Sequence, residues 1–164
     1  VQGRRPELQQ RHRVEELRWT QLGVVLGDRL PADTKVAISP IGAFGFYSGL
    51  PIVDMLGRTN DVVRHASPDL TISMKGHHRY DADWVLSQRP ALIIRGNGRT
   101  GGSDQASRGV LVVSAWERTL AEHPEFITDY EARVGSIPDG APLIFFWRRD
   151  LPAPEWSEPI RQSG

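Results

Sequence analysis

The fold class follows from the stretch Val36-Ala-Ile-Ser-Pro-Ile-Gly-Ala-Phe-Gly-Phe-Tyr-Ser-Gly-Leu-Pro-Ile-Val-Asp54. Residues 36–39 and residues 52–56 are short apolar runs rich in β-branched side chains, and a proline or a glycine follows each, so both are predicted to be strands. Residues 41–47 lie between them and are long enough for one or two helical turns. Strands that alternate with helices are typical of an α/β domain.

Upstream of this stretch, the spacing of apolar residues predicts one long helix. Its apolar residues follow one another at steps of three, four and four, which places them on one helical face: Trp19, Leu22, Leu26 and Leu30. Pro31 ends the helix at or before Leu30. Residues 9–18 are dense in charge and poor in large apolar side chains, so we expect this front half to be exposed to solvent.

Downstream, the chain supplies further helices and strands and then a hairpin. Asn60 and Asp81 are predicted N-caps, because each precedes a helical pattern and can accept a hydrogen bond from an otherwise unpaired amide. The further predicted elements are helices at 61–65, 82–88 and 115–122, a buried strand at 91–94, and a terminal hairpin made of residues 130–137 and 143–148. The sequence therefore predicts an α/β fold over residues 1–150: a layered domain with a mixed sheet flanked by helices and a C-terminal hairpin. We expect residues 151–164 to be an extended, Pro-rich tail that packs through Trp156.

Composition excludes several classes of function. The chain has 164 residues, 20 Lys and Arg against 20 Asp and Glu, and no cysteine. A formal charge of zero gives no global field for a phosphate backbone, so nucleic acid is not an expected partner. The lack of cysteine excludes disulfides, thiolate metal sites and a cysteine nucleophile. No apolar run approaches the ~20 residues that cross a bilayer, and the start lacks both a methionine and a signal core, so we expect a processed chain or a piece of a longer one.

Three motifs that suggest catalysis or cofactor binding lack the context they need. Gly96-Asn-Gly-Arg-Thr-Gly101 matches a dinucleotide fingerprint, but polar residues follow it where an apolar helix is required, so a flexible loop is the favoured interpretation. Ser39 and Ser48 are the closest candidates for a nucleophile, and both are predicted to lie at the ends of elements. The natural metal-binding set has unfavourable spacing, so solvated side chains are favoured and a calcium site stays open as the exception; the set is Asp54, Asp61, His77, His78, Asp81 and Asp83.

Aromatic residues and one acid are the better candidates for a binding site. Sugars are held by ring faces together with planar polar groups. Tyr47, Tyr80 and Trp84 lie beside loop or polar residues and are the better candidates for an exposed platform, although packing in the core or at a hinge is the favoured interpretation for them. Strongly apolar runs place the phenylalanines in the expected core: Phe44, Phe46, Phe145 and Phe146. Asp54 ends a predicted strand, where open α/β sheets bind ligands. The favoured alternative is a structural role, in which it pairs with Arg58 or Arg64 or accepts amides from the following turn.

A family resemblance extends over about residues 17–94. Its most diagnostic part is Tyr47-Ser-Gly-Leu-Pro followed by Asp54-Met-Leu-Gly57, and its second part is Gly76-His77 followed by Asp81. These motifs resemble the soluble C-terminal domain of polytopic glycosyltransferases with the GT-C membrane fold, most closely the actinobacterial terminal β-arabinofuranosyltransferases of cell-wall arabinan synthesis. The loop at residues 96–109 and the second histidine, His78, depart from the family pattern.

The resemblance implies a parent enzyme that transfers arabinofuranose from decaprenyl-phosphoryl arabinose to cell-wall arabinan. In such a parent the catalytic acid lies in the membrane portion, so this domain would have no catalytic residue, no metal and no cofactor, and the polyprenyl-phosphate donor would bind elsewhere. The implied location is the extracytoplasmic face of the plasma membrane, with a tether through upstream transmembrane helices. The implied partners are a cell-wall glycan acceptor and the membrane portion of the parent chain.

The leading hypothesis is therefore a carbohydrate acceptor-binding domain, with the binding residues drawn from Tyr47, Asp54, His77, Tyr80, Asp81 and Trp84. A first rival is a structural module that braces the membrane portion. It predicts an apolar patch along the first helix, and near-normal activity of the parent after Asp54→Ala or His77→Ala. A second rival is a free-standing soluble α/β enzyme that uses Asp54 and His77, which predicts turnover by the isolated chain.

Overall fold

A computed structural model of the chain describes residues 4–68, 79–94, 115–137 and 142–160. These ranges contain six helices and six strands. The helices are α1 (Arg4–Arg29), α2 (Ile41–Ser48), α3 (Asp61–His65), α4 (Ala82–Ser87), α5 (Ala115–Ala121) and α6 (Pro124–Asp129). The strands are β1 (Val36–Ile38), β2 (Ile52–Asp54), β3 (Leu92–Ile94), β4 (Tyr130–Ser136), β5 (Pro142–Arg148) and β6 (Ser157–Pro159).

The six strands form one open sheet in the order β2-β1-β3-β5-β4-β6. β1 pairs in parallel with both β2 and β3, and every pairing from β3 to β6 is antiparallel. The expected α/β fold with a mixed sheet and a C-terminal hairpin is confirmed, because β4 and β5 form that hairpin. The parallel and antiparallel halves meet where Leu92 of β3 lies opposite Trp147 of β5.

Side chains that alternate along the strands build two cores, one on each face of the sheet. Val36, Ile38, Leu92 and Phe145 point to the face covered by α1 and α2. Ala37, Ile93 and Phe146 point to the other face, where they pack with residues of α4, α5 and α6 such as Val85, Leu120 and Phe126. Helices therefore cover the sheet on both faces, as a sheet with two apolar faces requires.

The long first helix follows the predicted pattern. Its four predicted core residues are all buried: Trp19, Leu22, Leu26 and Leu30. In the front half, Gln10 and residues 13–17 are exposed, as expected from their charge. Arg18 is the exception, because it is only 6% exposed and its guanidinium lies 5.2 Å from the centroid of the Trp19 ring.

Two glycines of α1 allow α2 to pack directly against its backbone. A Cβ atom on Gly23 would lie 2.8 Å from the carbonyl oxygen of Phe44, and one on Gly27 would lie closer still to the carbonyl oxygen of Ser48. Gly23 and Gly27 are four residues apart and so lie on one helical face, as Phe44 and Ser48 do on α2. At this contact α1 has only glycines, so the backbone of α2 packs directly against the backbone of α1.

The same contact explains why one predicted core residue lies outside the core. The prediction that Phe46 is buried is wrong, since its side chain is 81% exposed. The helix α2 buries the face that contains Phe44 and Ser48, and Phe46 lies about half a turn away from both. Apolar composition alone did not show which face of so short a helix packs.

Two elements were not predicted. Pro124 was expected only to end a helix, but it is also the first residue of α6. His123 caps this helix, because its side chain accepts a hydrogen bond from the Glu125 amide. The tail contains β6, which pairs with β4, and the expected packing through Trp156 is present because this ring covers Gly135. The predictions for residues 69–78 and 95–114 lie outside the described residues.

The close contact between α1 and α2 makes Gly27 sensitive to substitution. We expect Gly27→Ala to lower the free energy of unfolding by about 1–3 kcal/mol, because its methyl group would overlap backbone atoms that cannot move aside. The matched control is Gly42→Ala, since a Cβ there meets nothing within 4 Å, and helix propensity predicts a gain of up to about 1 kcal/mol. Urea unfolding of both variants measures the difference; equal effects would contradict the close approach.

Candidate functional site

Asp54 ends β2 and organises the loop that follows. Its side chain is buried, and Oδ1 accepts a hydrogen bond from the amide of Leu56 (3.0 Å). Oδ2 accepts two more, from the amide (2.6 Å) and the hydroxyl (3.1 Å) of Thr59. Of the alternatives left open by the sequence, this is the acceptance of amides from the following turn. Both carboxylate oxygens thus accept hydrogen bonds that stabilise the loop leading into α3.

The residues Tyr80, Asp81 and Trp84 surround the start of α4. Asp81 is the predicted N-cap, and its Oδ1 accepts a hydrogen bond from the Trp84 amide (2.8 Å). Tyr80 and Trp84 are partly buried and pack against the core on this face of the sheet. The depression beside Tyr80 and Asp81 has a volume of about 10 Å³, which is about the space of one water molecule. A sugar ring does not fit into it.

Tyr47 lies apart from these residues. It belongs to α2, on the opposite face of the sheet, where it is 50% exposed and makes an edge-to-face contact with Phe46 at 5.1 Å between ring centroids. His77 lies outside the described residues. The structure thus brings Tyr80, Asp81 and Trp84 together near the end of β2 but does not add Tyr47 to them.

A second, larger cleft lies at the other end of the sheet. It has a volume of about 630 Å³. Its walls are the segment that leads into β1, the turn before β3, the end of β5 and residues 151–156. Because β1 and β3 begin at this edge and β5 ends there, the cleft lies at the amino ends of the parallel strands, opposite the edge where the sequence predicted a site.

Two tryptophans form the aromatic part of the cleft. Trp156 is half-buried, and the guanidinium of Arg29 lies 5.5 Å from the centroid of its ring. Arg29 also donates a hydrogen bond to the carbonyl oxygen of Ser136 (2.8 Å), which holds it over the ring. Trp147 is buried, and its indole Nε1 has no hydrogen-bond partner within the described ranges. A buried polar atom without a partner is uncommon in a folded protein.

Charged side chains of both signs border the cleft. The carboxylates of Asp33 and Glu155 are exposed there. Asp150, next to the cleft, accepts hydrogen bonds from Arg148 (2.6 Å) and Arg89 (2.9 Å). The hydrogen bond from Arg148 is the main reason why the pKa of the Asp150 carboxyl is lowered, so this group stays ionised at neutral pH.

Comparison with known protein families shows one match. The family model described as a domain of unknown function, DUF8728, matches residues 6–149. The chain belongs to the DUF8728 family. No curated protein and no solved structure matches it.

The region that matches the DUF8728 family model ends between two groups of residues that line the cleft. It includes the residues of α1 from position 6 and every later helix and strand up to β5, and it ends at residue 149, before Trp156 and β6. The cleft is therefore built jointly by the matched region, which contributes Arg29, Lys35 and Arg89, and by the following segment, which contributes Trp156.

Sequence reasoning missed the cleft of this DUF8728 chain, although one signal pointed to it. A tryptophan within a proline-rich tail must pack somewhere, and Trp156 does so beside β4 and β5.

In the part of the chain that the structure describes, no group of three His, Asp or Glu residues could hold a metal ion. None of its described helices has the length and apolar character that spanning a membrane requires.

Asp54 allows the role of the β2–α3 loop to be measured. We expect Asp54→Ala to lower the free energy of unfolding by about 2–4 kcal/mol, because it leaves the amides of Leu56 and Thr59 without their charged acceptor. The control is Asp61→Ala, whose carboxylate is exposed and pairs with the exposed Arg64, so that its loss costs less than about 1 kcal/mol. Chemical denaturation compares the two; an Asp54→Ala variant as stable as the control would show that the buried carboxylate is not structural.

Proposed function

We propose that this DUF8728 domain is a carbohydrate-binding accessory domain of a membrane glycosyltransferase, and that it binds a glycan acceptor in the 630 Å³ cleft. The observation that supports this most is the half-buried ring of Trp156, which lies in a cleft bordered by both hydrogen-bond donors and carboxylate acceptors. The resemblance to terminal β-arabinofuranosyltransferases makes arabinan the expected glycan.

The chemistry of the cleft suits a neutral polyhydroxylated ligand. The C–H groups of a sugar pack against aromatic side chains, and the half-buried Trp156 lines the cleft. Each sugar hydroxyl both donates and accepts hydrogen bonds, and Arg29 supplies a donor while Asp33 and Glu155 supply acceptors. The cleft volume also falls in the range of about 300–1,000 Å³ that is typical of small-molecule sites.

The proposal gives this domain no catalytic step. Asp54 is the acid that the sequence singled out, and both of its oxygens already accept hydrogen bonds from the following loop. The parent enzyme's transfer of arabinofuranose from its polyprenyl-phosphate donor is assigned to the membrane portion, and this domain is assigned the holding of the acceptor. The location that follows is the extracytoplasmic face of the membrane.

The proposal moves the binding residues away from those that the sequence favoured. Tyr80 and Asp81 adjoin a depression that is too small for a sugar. Asp54 is buried, and Tyr47 lies on the opposite face from Trp84. The residues proposed to contact the glycan are Trp156, Arg29, Asp33 and Glu155.

Titration of arabinan oligosaccharides into the isotopically labelled chain tests the proposal. We expect millimolar sugar to shift the indole N–H resonances of Trp147 and Trp156, while that of Trp84 at the opposite edge stays in place as an internal control. Glu155→Gln should weaken binding about tenfold, the effect of losing a charged hydrogen-bond acceptor. The matched control is Glu158→Gln, an exposed acid of β6 that is absent from the cleft lining.

Two results would contradict the proposed site. An absence of shifts at millimolar sugar would exclude the binding of arabinan by this chain. Shifts confined to Trp84 and its neighbours would indicate that the sugar binds at the carboxyl edge of the sheet, where the sequence predicted the site.

A second candidate function, bracing of the membrane portion, has support from a different surface. Three apolar side chains of α1 are exposed: Val14 (55%), Leu17 (56%) and Val24 (43%). Their spacing of three and seven residues places them on one side of the helix, away from its buried face. This is the apolar patch that the bracing role predicts. The proposed occupant of this patch is the membrane portion of the parent chain.

The bracing role is tested in the full-length parent enzyme. Val14, Leu17 and Val24 are replaced together by serine, and because all three are exposed, the fold of the domain should be kept. We expect the transferase activity of the parent to fall at least tenfold if this surface holds the membrane portion. The matched control replaces the exposed polar residues Arg13, Glu15 and Glu16 by serine. Equal activity in both variants would exclude the bracing role.

A further inference from the structure

Three cationic side chains at one end of the cleft are attached to a single turn, residues 88–91. Lys35 Nζ donates a hydrogen bond to the carbonyl oxygen of Gln88 (3.2 Å), and Arg148 Nη1 donates one to the carbonyl oxygen of Arg89. From the face of the sheet that α4, α5 and α6 cover, the Tyr130 hydroxyl donates a hydrogen bond to the carbonyl oxygen of Pro90 (2.8 Å). Lys35, Arg89 and Arg148 all line the cleft. We call these three side chains the cationic end.

The cationic end has more positive charge than its surroundings neutralise. Among the residues that the structure describes, Asp150 is the carboxylate that forms ion pairs with it, and this group is shared by Arg89 and Arg148. No carboxylate of the described residues forms an ion pair with Lys35. Asp150 adjoins the cleft, and the carboxylates of the described cleft lining are Asp33 and Glu155; the fourth cation of that lining is Arg29. With Asp150 counted as well, four cationic side chains stand against three carboxylates, so the cleft and its border keep a net positive charge.

The backbone of Arg89 is a second, independent observation. Arg89 has φ of 50°, and within the described residues no other non-glycine residue has a positive φ. The left-handed region is disfavoured for a side chain of this kind, and residue 90 is a proline, which restricts the preceding residue further. Glycine would relieve this strain but would remove the guanidinium. Strain that is kept in this way is characteristic of functional positions.

The guanidinium of Arg89 is open to a ligand. Its side chain is 57% exposed, and only Nη2 is occupied, by Asp150. Nε and Nη1 make no hydrogen bond with the described part of the chain. A guanidinium presents paired donors that match the two oxygens of a carboxylate or a phosphate.

We infer that the cationic end of the cleft binds an anionic substituent of the ligand, a carboxylate or a phosphate group. This inference rests on the proposed function, because it assigns the neutral part of the glycan to Trp156 and the anionic group to Arg89 and Lys35. Asp150 is a positioning residue, since it holds the guanidinium groups of Arg89 and Arg148 side by side. The ligand class is thus a largely neutral glycan that carries a carboxylate or phosphate group.

Three oligosaccharides of equal length test the inference with the full chain: a neutral one, one that ends in a uronic acid, and one that ends in a phosphate monoester. Calorimetric titration at low salt should show at least one anionic ligand binding about tenfold more tightly than the neutral one. The preference should shrink at 0.5 M salt because the site is open to screening. Whichever of the two anionic ligands binds more tightly identifies the group, carboxylate or phosphate.

Variants of the cationic end locate the effect. Arg89→Gln should remove the preference for anionic ligands and change the affinity for the neutral oligosaccharide less than twofold. Lys35→Gln provides a second variant at an exposed position if Arg89→Gln does not fold. The matched control is Arg118→Gln, an exposed cation of α5 on the other face of the sheet, which should keep the preference.

The possible failures are distinguishable. Equal binding of the neutral and anionic ligands would overturn this inference and leave the proposed function intact. A preference that survives both Arg89→Gln and Lys35→Gln would also overturn it. Failure of all three ligands to bind would overturn the proposed function and this inference together.

Discussion

The hydrogen bonds of Ala91 connect the two neighbours of β3 at the edge of the sheet where the cleft lies. The Ala91 amide donates to the carbonyl oxygen of Lys35 (2.9 Å), and its own carbonyl oxygen accepts from the Arg148 amide (3.0 Å). One residue before β3 therefore aligns the beginning of the parallel strand β1 with the end of the antiparallel strand β5. Parallel neighbours begin at the same edge of a sheet, whereas an antiparallel neighbour ends there, so this residue brings Lys35, Arg148 and the turn of Arg89 to one place.

Burial from the opposite face strengthens that arrangement. Tyr130 begins β4, and its ring stacks with Phe126 of α6 in the core that faces α4 and α5. Burial of the phenol raises its pKa to about 12, so the hydroxyl keeps its proton and its hydrogen bond to Pro90 at physiological pH. The turn is thus held by the lead-in to β1, by β4 and by β5. A guanidinium attached to such a turn loses little further freedom when a ligand binds, which favours affinity.

The sequence was informative where local rules decide the structure. Asn60 and Asp81 cap their helices as expected, since capping needs only an acceptor at the right offset, and the stripe from Trp19 to Leu30 identified the buried face of α1. The cleft could not be predicted because it needs strand order: Lys35, Arg89 and Arg148 are far apart in the chain and meet only through β1, β3 and β5. The predicted site at the carboxyl ends of the strands relied on a rule for open α/β sheets. In this sheet, β6 and the segment before it add a wall at the other edge.

The charge distribution also indicates how the cleft would discriminate between ligands. The whole chain has a formal charge of zero, so it has no long-range field that would speed the approach of an anion. The cationic end acts only over short distances, because salt screens exposed charges beyond about 8 Å at physiological ionic strength. In the proposed complex, the cationic end would therefore contribute only after a ligand has reached the cleft, and it would lengthen the lifetime of the complex more than it raises the rate of association. This charge distribution is compatible with the proposed role, in which the domain selects among glycans that it meets at high local concentration beside a parent enzyme.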